Sequence, residues 1–139
     1  MSIELTSLGT LSIRIRQQYR LEGVPTGTRL IGEAADCRWD GERVRASQAG
    51  ASTSDWVTIH ANGSVAVDAR LLLKTDDGAL IAVRYTGRAE RAPASGAAVI
   101  MAPTFETGDE RYAWLNTVQA VGKGLRTGDL LVYELYQVT

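Results

Sequence analysis

Apolar and polar residues alternate with period two along most of this chain, the repeat of a half-buried strand. The alternation is densest from Asp55 to Glu90, DWVTIHANGSVAVDARLLLKTDDGALIAVRYTGRAE. Asn62-Gly63 and Asp77-Gly78 are two-residue hairpin signals that cut this stretch into three strands rich in Val, Leu and Thr. Upstream, Glu4 to Arg16 predicts a strand with Leu11, Ile13 and Ile15 on one side. Gln17 to Gly27, with Gly23, Pro25 and Gly27, predicts a loop. Arg29 to Ala35 is a short strand. A turn at Asp40-Gly41 leads into another through Arg43, Val44 and Arg45, and Gln48 to Ser54 is loop.

Downstream, Arg91 to Gly96 is a small-residue connection, and Ala97 to Glu106 is a strand whose Pro103 belongs at an edge or bulge. Thr107 and Glu110 have capping-box spacing, so a helical turn is expected through Arg111 to Leu115, ended by Asn116. Thr117 to Val121 and Asp129 to Val138 complete the strands. About eight or nine short strands with almost no helix predict an all-β fold. The long meander favours an up-and-down antiparallel barrel, because closure removes exposed edges. A barrel of this size is either filled or holds one small ligand. One domain over 1–139 is expected.

Hairpin register sorts the side chains. If both loops are two residues long, Val57 faces Asp68, Asp55 faces Arg70, and Arg70 faces Tyr85. Opposed residues share a face. Asp55, Asp68, Arg70 and Tyr85 then form one polar group on an apolar surface with Val57, Ile59, Leu72, Ile81 and Val83. A three-residue second loop would flip the third strand, because a one-residue slip exchanges faces. Buried charges must be paired and cluster at functional sites, so this group is the site candidate. The plain alternative is a structural or solvent-exposed ion pair. The same register turns Val65, Val67, Leu71, Leu73, Leu80 and Ala82 outward as one apolar patch, which predicts a homodimer.

Composition narrows the chemistry. A net charge of −1 without a basic block argues against nucleic acid as a partner. No apolar run is long enough to span a membrane and no signal-peptide pattern opens the chain, so the expected location is cytoplasmic. Cys37 is the only cysteine and His60 the only histidine. That leaves no internal disulfide and no basis for a metal cluster. A Ser-His-Asp mechanism would have to pass through His60, on the face opposite the polar group. Gly122-Lys123-Gly124 lacks the spacing of a phosphate loop and reads as a turn.

The blocks Asp55-Trp56, Asn62-Gly63, Val67-Asp68-Ala69-Arg70 and Thr75 to Ile81, with Phe105-Glu106-Thr107 and Arg111 to Asn116 (RYAWLN), resemble the domain-of-unknown-function family DUF3237. The resemblance covers most of the chain from Arg29 onward. It implies a calycin-like (lipocalin-like) barrel, often dimeric, and no established activity. Asp36-Cys37 stands here where the family pattern has a glycine pair.

Two functions fit these residues. One is a cofactor-free acid/base enzyme acting on a small organic metabolite: an isomerase, cyclase, dehydratase or lactone hydrolase. Asp68 would be the acid/base, Glu106 the second choice, and Arg70 the anchor for an anionic oxygen. Asp55, Trp56, Tyr85, Tyr112, Trp114 and Asn116 would shape the ligand site, with Trp114 closing one end of the barrel. The other is a carrier or sensor of a small hydrophobic ligand, with no reaction.

Overall fold

The computed structural model describes residues 1–139. Nine antiparallel strands run in the order β1 (Leu5–Val24), β2 (Gly27–Asp40), β3 (Arg45–Gln48), β4 (Ser54–Ile59), β5 (Val65–Thr75), β6 (Leu80–Ala89), β7 (Val99–Glu106), β8 (Ala120–Thr127) and β9 (Leu130–Val138). β1 pairs with both β9 and β2, and β4 bridges β2 and β5, so the sheet closes into a barrel. β3 continues the wall beyond β4, pairing with the far ends of β2 and β5.

The first two strands are longer than the sequence pattern predicts. Gln17 to Val24 is strand, not loop: the β1–β2 ladder continues to Val24 and Gly27, across Pro25-Thr26. Tyr19 and Leu21 are exposed there, so backbone pairing rather than burial sustains this extension. β8 runs straight through the expected turn at Gly122-Lys123-Gly124. Its glycines leave space, since a Cβ at Gly124 would collide with the Tyr133 ring. Pro103 pairs with β6 beyond the point where the β7–β8 ladder ends, as its missing N–H requires.

Both central hairpins close through three residues. The His60 amide donates to the Ser64 carbonyl at 2.8 Å, and the Thr75 amide to the Ala79 carbonyl at 2.8 Å. Gly63 and Gly78 take the left-handed conformation at the third loop position, with φ of 86° and 97°. Ile59 therefore opposes Val65, and Leu71 opposes Val83. Two slips of one residue leave β4 and β6 in the expected relative phase and invert β5 alone. Val65, Val67, Ala69, Leu71 and Leu73 are buried inside the barrel, while Asp68 and Arg70 point outward. Of the apolar patch expected on the outside, Val65, Val67, Leu71 and Leu73 line the barrel instead, while Leu80 and Ala82 of β6 remain exposed.

The helical turn is a 3-10 segment, Glu110–Thr117. Its cap is Asp109, which accepts from the Arg111 amide, rather than Thr107. Thr107 instead donates to the Leu80 carbonyl at 2.7 Å. Asn116 lies within the turn and does not end it: its carboxamide pairs with both the amide and the carbonyl of Thr107. Leu115, fully buried, packs into the core, and Trp39 stacks on Phe105 at 5.0 Å. Trp114 is only half-buried, under the Arg43 guanidinium at 3.5 Å. No helix is long and apolar enough to cross a membrane.

Candidate functional site

Asp55 sits on β4 between Gly32 of β2 and Ala69 of β5. These small cross-strand neighbours leave room for its inward side chain. The residue is 8% exposed, and its Oδ1 has no hydrogen-bond partner. Burial raises the carboxyl pKa from 3.8 to about 6, with the Arg126 charge acting in the opposite direction.

Tyr85 of β6 and Tyr133 of β9 lie deeper, edge to face at 5.5 Å. Both are fully buried and both hydroxyls lack a partner. Burial, reinforced by the Asp55 charge, pushes both phenols up, so they remain neutral donors. Cys37 of β2 contacts Thr53 at 3.4 Å, and burial lifts its thiol to about 11. A thiol held protonated is a poor nucleophile.

Of these four groups, Asp55 lines a cavity of about 320 Å³ at the barrel mouth. Asp55, Val57 and Ile59 line it from β4, Ile15, Gln18 and Arg20 from β1, and Leu30 from β2. Arg126 and Leu131 close the side, and a 3-10 turn at Pro93–Ser95 covers part of the rim. An ionisable carboxyl in an apolar, partly enclosed space can exchange a proton with a bound molecule near neutral pH.

Of the expected site residues, Asp55 and Tyr85 are inside the barrel. Asp68, Arg70 and Trp56 share an outer depression with Ser54. There Asp68 meets Arg84 at 3.8 Å with both side chains more than half exposed, a surface pair of small energetic weight. The expected inward placement of Asp68 and Arg70 is overturned by the inversion of β5. Trp56 is 46% exposed on the outer face of β4 and donates to Ser54. A larger open groove of about 580 Å³ also holds Trp56 and Asp68, but it contains no buried ionisable group, so the mouth cavity is the better site. Glu106 points outward from β7. Tyr112 bonds Asp77 at 2.8 Å, and with Trp114 and Asn116 it belongs to the structural cap of Glu110–Thr117, apart from the cavity. Tyr133 and Arg126 were missed. Period-two alternation on β9, with Leu131, Tyr133 and Leu135 on one face, was the available signal for Tyr133.

A family model described as a protein of unknown function (DUF3237) matches residues 3–138. The chain belongs to the DUF3237 family. It is 27% identical over 150 residues to a UPF0311 protein of Rhodopseudomonas palustris, covering 99% of this chain and 97% of that one. It is also 33% identical over 81 residues to the hydroalkoxylation enzyme phnH of Penicillium herquei, covering 58% of this chain and 48% of that one. Among solved structures, a beta-barrel like protein of Acinetobacter baumannii superposes with a TM-score of 0.89 at 24% identity, covering 100% and 98% of the two chains. An enzyme from Penicillium herquei superposes with a TM-score of 0.74 at 24% identity, covering 99% and 94%. This DUF3237 chain therefore shares the barrel with both, and a distant relative is an enzyme.

Proposed function

We propose that the barrel binds a small organic molecule in its mouth cavity and that Asp55 acts on it as a general acid and base. The observation that carries this reading is the Asp55 carboxyl, buried at the cavity wall with one oxygen unpartnered and a pKa near 6. A catalytic acid works best when its pKa lies near the working pH. The expected isomerase, cyclase, dehydratase or lactone hydrolase chemistry carries over, with Asp55 replacing Asp68. The hydroalkoxylation activity of the Penicillium relative adds one concrete case, addition of an O–H across a C=C bond. The Asp55 carboxyl would give its proton to one alkene carbon. The hydroxyl oxygen would bond to the other carbon and its proton would return to the carboxylate, so no net acid is consumed. Tyr85 and Tyr133, buried and neutral, would keep the barrel interior beside Asp55 dry.

Turnover of hydroxy-alkenes, beginning with cyclisation of 2-prenylphenol to its isomeric ether, tests the proposal. Asp55→Asn should reduce the rate by roughly a hundredfold or more. A folded Asp55→Asn protein with undiminished turnover would remove Asp55 from the chemistry. A homodimer is part of the same proposal. Its support is the outer groove where Trp56 and Ile100 stand exposed, and sedimentation velocity checks it.

A further inference from the structure

Arg126 stands half-buried on the wall of the mouth cavity. Its Nε donates to the Gly128 carbonyl at 2.8 Å, which anchors one edge of the guanidinium. Arg126 takes part in none of the protein's eight ion pairs. Asp55 lines the same cavity and feels its charge, yet the two do not pair. Arg20, the other arginine of the lining, is already engaged by Glu22 at 2.7 Å. The cavity thus has one free cationic fork, an apolar floor of Leu30, Val57 and Leu131, and one carboxyl.

We infer that Arg126 selects the ligand and that the ligand is a small monocarboxylate. Its carboxylate takes the two free Nη groups, and its apolar body lies across Leu30, Val57 and Leu131 toward Asp55. The inference rests on the acid–base reading only for the reacting end of the molecule. A guanidinium edge matches a planar carboxylate through two parallel hydrogen bonds. A single free fork beside an ionisable Asp55 favours a monoanion over a phosphate, whose second charge would meet the Asp55 carboxylate uncompensated. A volume near 320 Å³ is at the small end for ligand cavities, which limits the body to one ring or a short chain.

Two pairs of probes differ in charge at nearly constant shape: cinnamate against cinnamamide, and hexanoate against hexanamide. Titrating each into ¹⁵N-labelled protein at about pH 5, where Asp55 is largely protonated, gives the affinities. The acids should bind roughly tenfold or more tightly than their amides and shift the amide signals of Leu30, Val57 and Leu131. Arg126→Met should weaken acid binding far more than amide binding and so remove that preference, and Arg126→Lys should restore part of it. Absence of a preference in both pairs, or a preference that survives in folded Arg126→Met, overturns the inference.

Asp55→Asn separates this inference from the acid–base reading. It should keep the carboxylate preference and lose the weakening of acid binding between about pH 5 and pH 8. Over that range Cys37, Tyr85 and Tyr133 stay protonated, and the remaining ionisation of the probe acids just above pH 5 would strengthen rather than weaken their binding, so a weakening belongs to Asp55. A carboxylate preference with full turnover in Asp55→Asn would overturn only the catalytic role. Turnover lost in Asp55→Asn without any carboxylate preference would overturn only the anion site.

Discussion

The His60 amide meets the Ser64 carbonyl at 2.8 Å, and this bond places Asp68 in water. A loop of two residues would have joined Ala61 to Ser64 and turned Asp68 and Arg70 into the barrel. Three residues with a left-handed glycine at the end put Val65, Val67, Ala69, Leu71 and Leu73 inside instead. The second hairpin repeats the arrangement through Thr75 and Ala79. Ala at position 63 would meet no atom within 4 Å, so its cost is conformational alone. Gly63→Ala should destabilise the protein by about 1–2 kcal/mol, and urea unfolding measures it. No loss of stability would mean the loop tolerates another turn.

Arg70 belongs to the outer surface, directly opposite Arg84 on β6. Like charges across a ladder repel, and Asp68 offsets only the Arg84 side. Arg70→Ala should therefore change stability by less than about 0.5 kcal/mol, unlike the loss of a buried charge partner. A loss of several kcal/mol in thermal or urea unfolding would place Arg70 in a buried network after all.

Asp55 makes stability depend on pH in an unusual direction. Its carboxyl binds a proton more tightly in the folded chain, near pH 6, than at its ordinary value of 3.8. Below both values it is protonated in either state and costs nothing. As pH rises between them, the unfolded chain ionises first, so stability falls, and above the folded value the deficit levels at about 3 kcal/mol. Asp55→Asn cannot ionise. It should be more stable than the parent protein by about that amount near pH 8, and nearly equal to it near pH 3. Paired urea melts at the two pH values check this, and equal stabilities near pH 8 would show the ionised carboxylate to be well solvated.

Gly124 and Tyr133 are cross-strand partners, and the tyrosine ring lies against the glycine backbone. A methyl group there would force the buried ring to move. Gly124→Ala should cost about 1–3 kcal/mol and shift the Asp55 titration followed by ¹³C NMR, because the Tyr133 phenol and the Asp55 carboxyl act on one another electrostatically. Tyr133→Phe removes an unpartnered hydroxyl and should be neutral or stabilising by comparison. A destabilised Tyr133→Phe would reveal a partner for that hydroxyl.

Leu115, not Trp114, is the deeper residue of the RYAWLN block. Leu115→Ala should cost about 2–5 kcal/mol, the range for a fully buried leucine. Trp114→Ala should cost less, since the indole is half exposed and its Arg43 contact contributes about 0.5–1 kcal/mol at such a site. The order of the two unfolding midpoints decides between them.

Strand existence is local, and it was legible. Alternating residues and the Asn-Gly and Asp-Gly turns are properties of neighbours along the chain, so they predict an all-β barrel and most of its strands from sequence alone, whereas the glycines of 17–27 and 122–124 suggest breaks that long-range pairing bridges. The placement of Asp55 and Tyr85 on one face was legible for the same reason, helped by two slips that cancel between β4 and β6. Even the phase of β5 had a local signature: Val65, Val67, Ala69, Leu71 and Leu73 are all apolar, whereas the alternate set carries Asp68, Arg70 and Lys74. Burying that charged set would have cost several kcal/mol per unpaired ion, and this outweighs the hairpin preference for two-residue loops. What only the tertiary structure decided is the meeting of distant strands. Asp55 on β4, Tyr85 on β6, Arg126 on β8 and Tyr133 on β9 converge because β1 closes against both β2 and β9. Ring closure depends on the stagger of every strand at once, a collective property that no window of sequence contains.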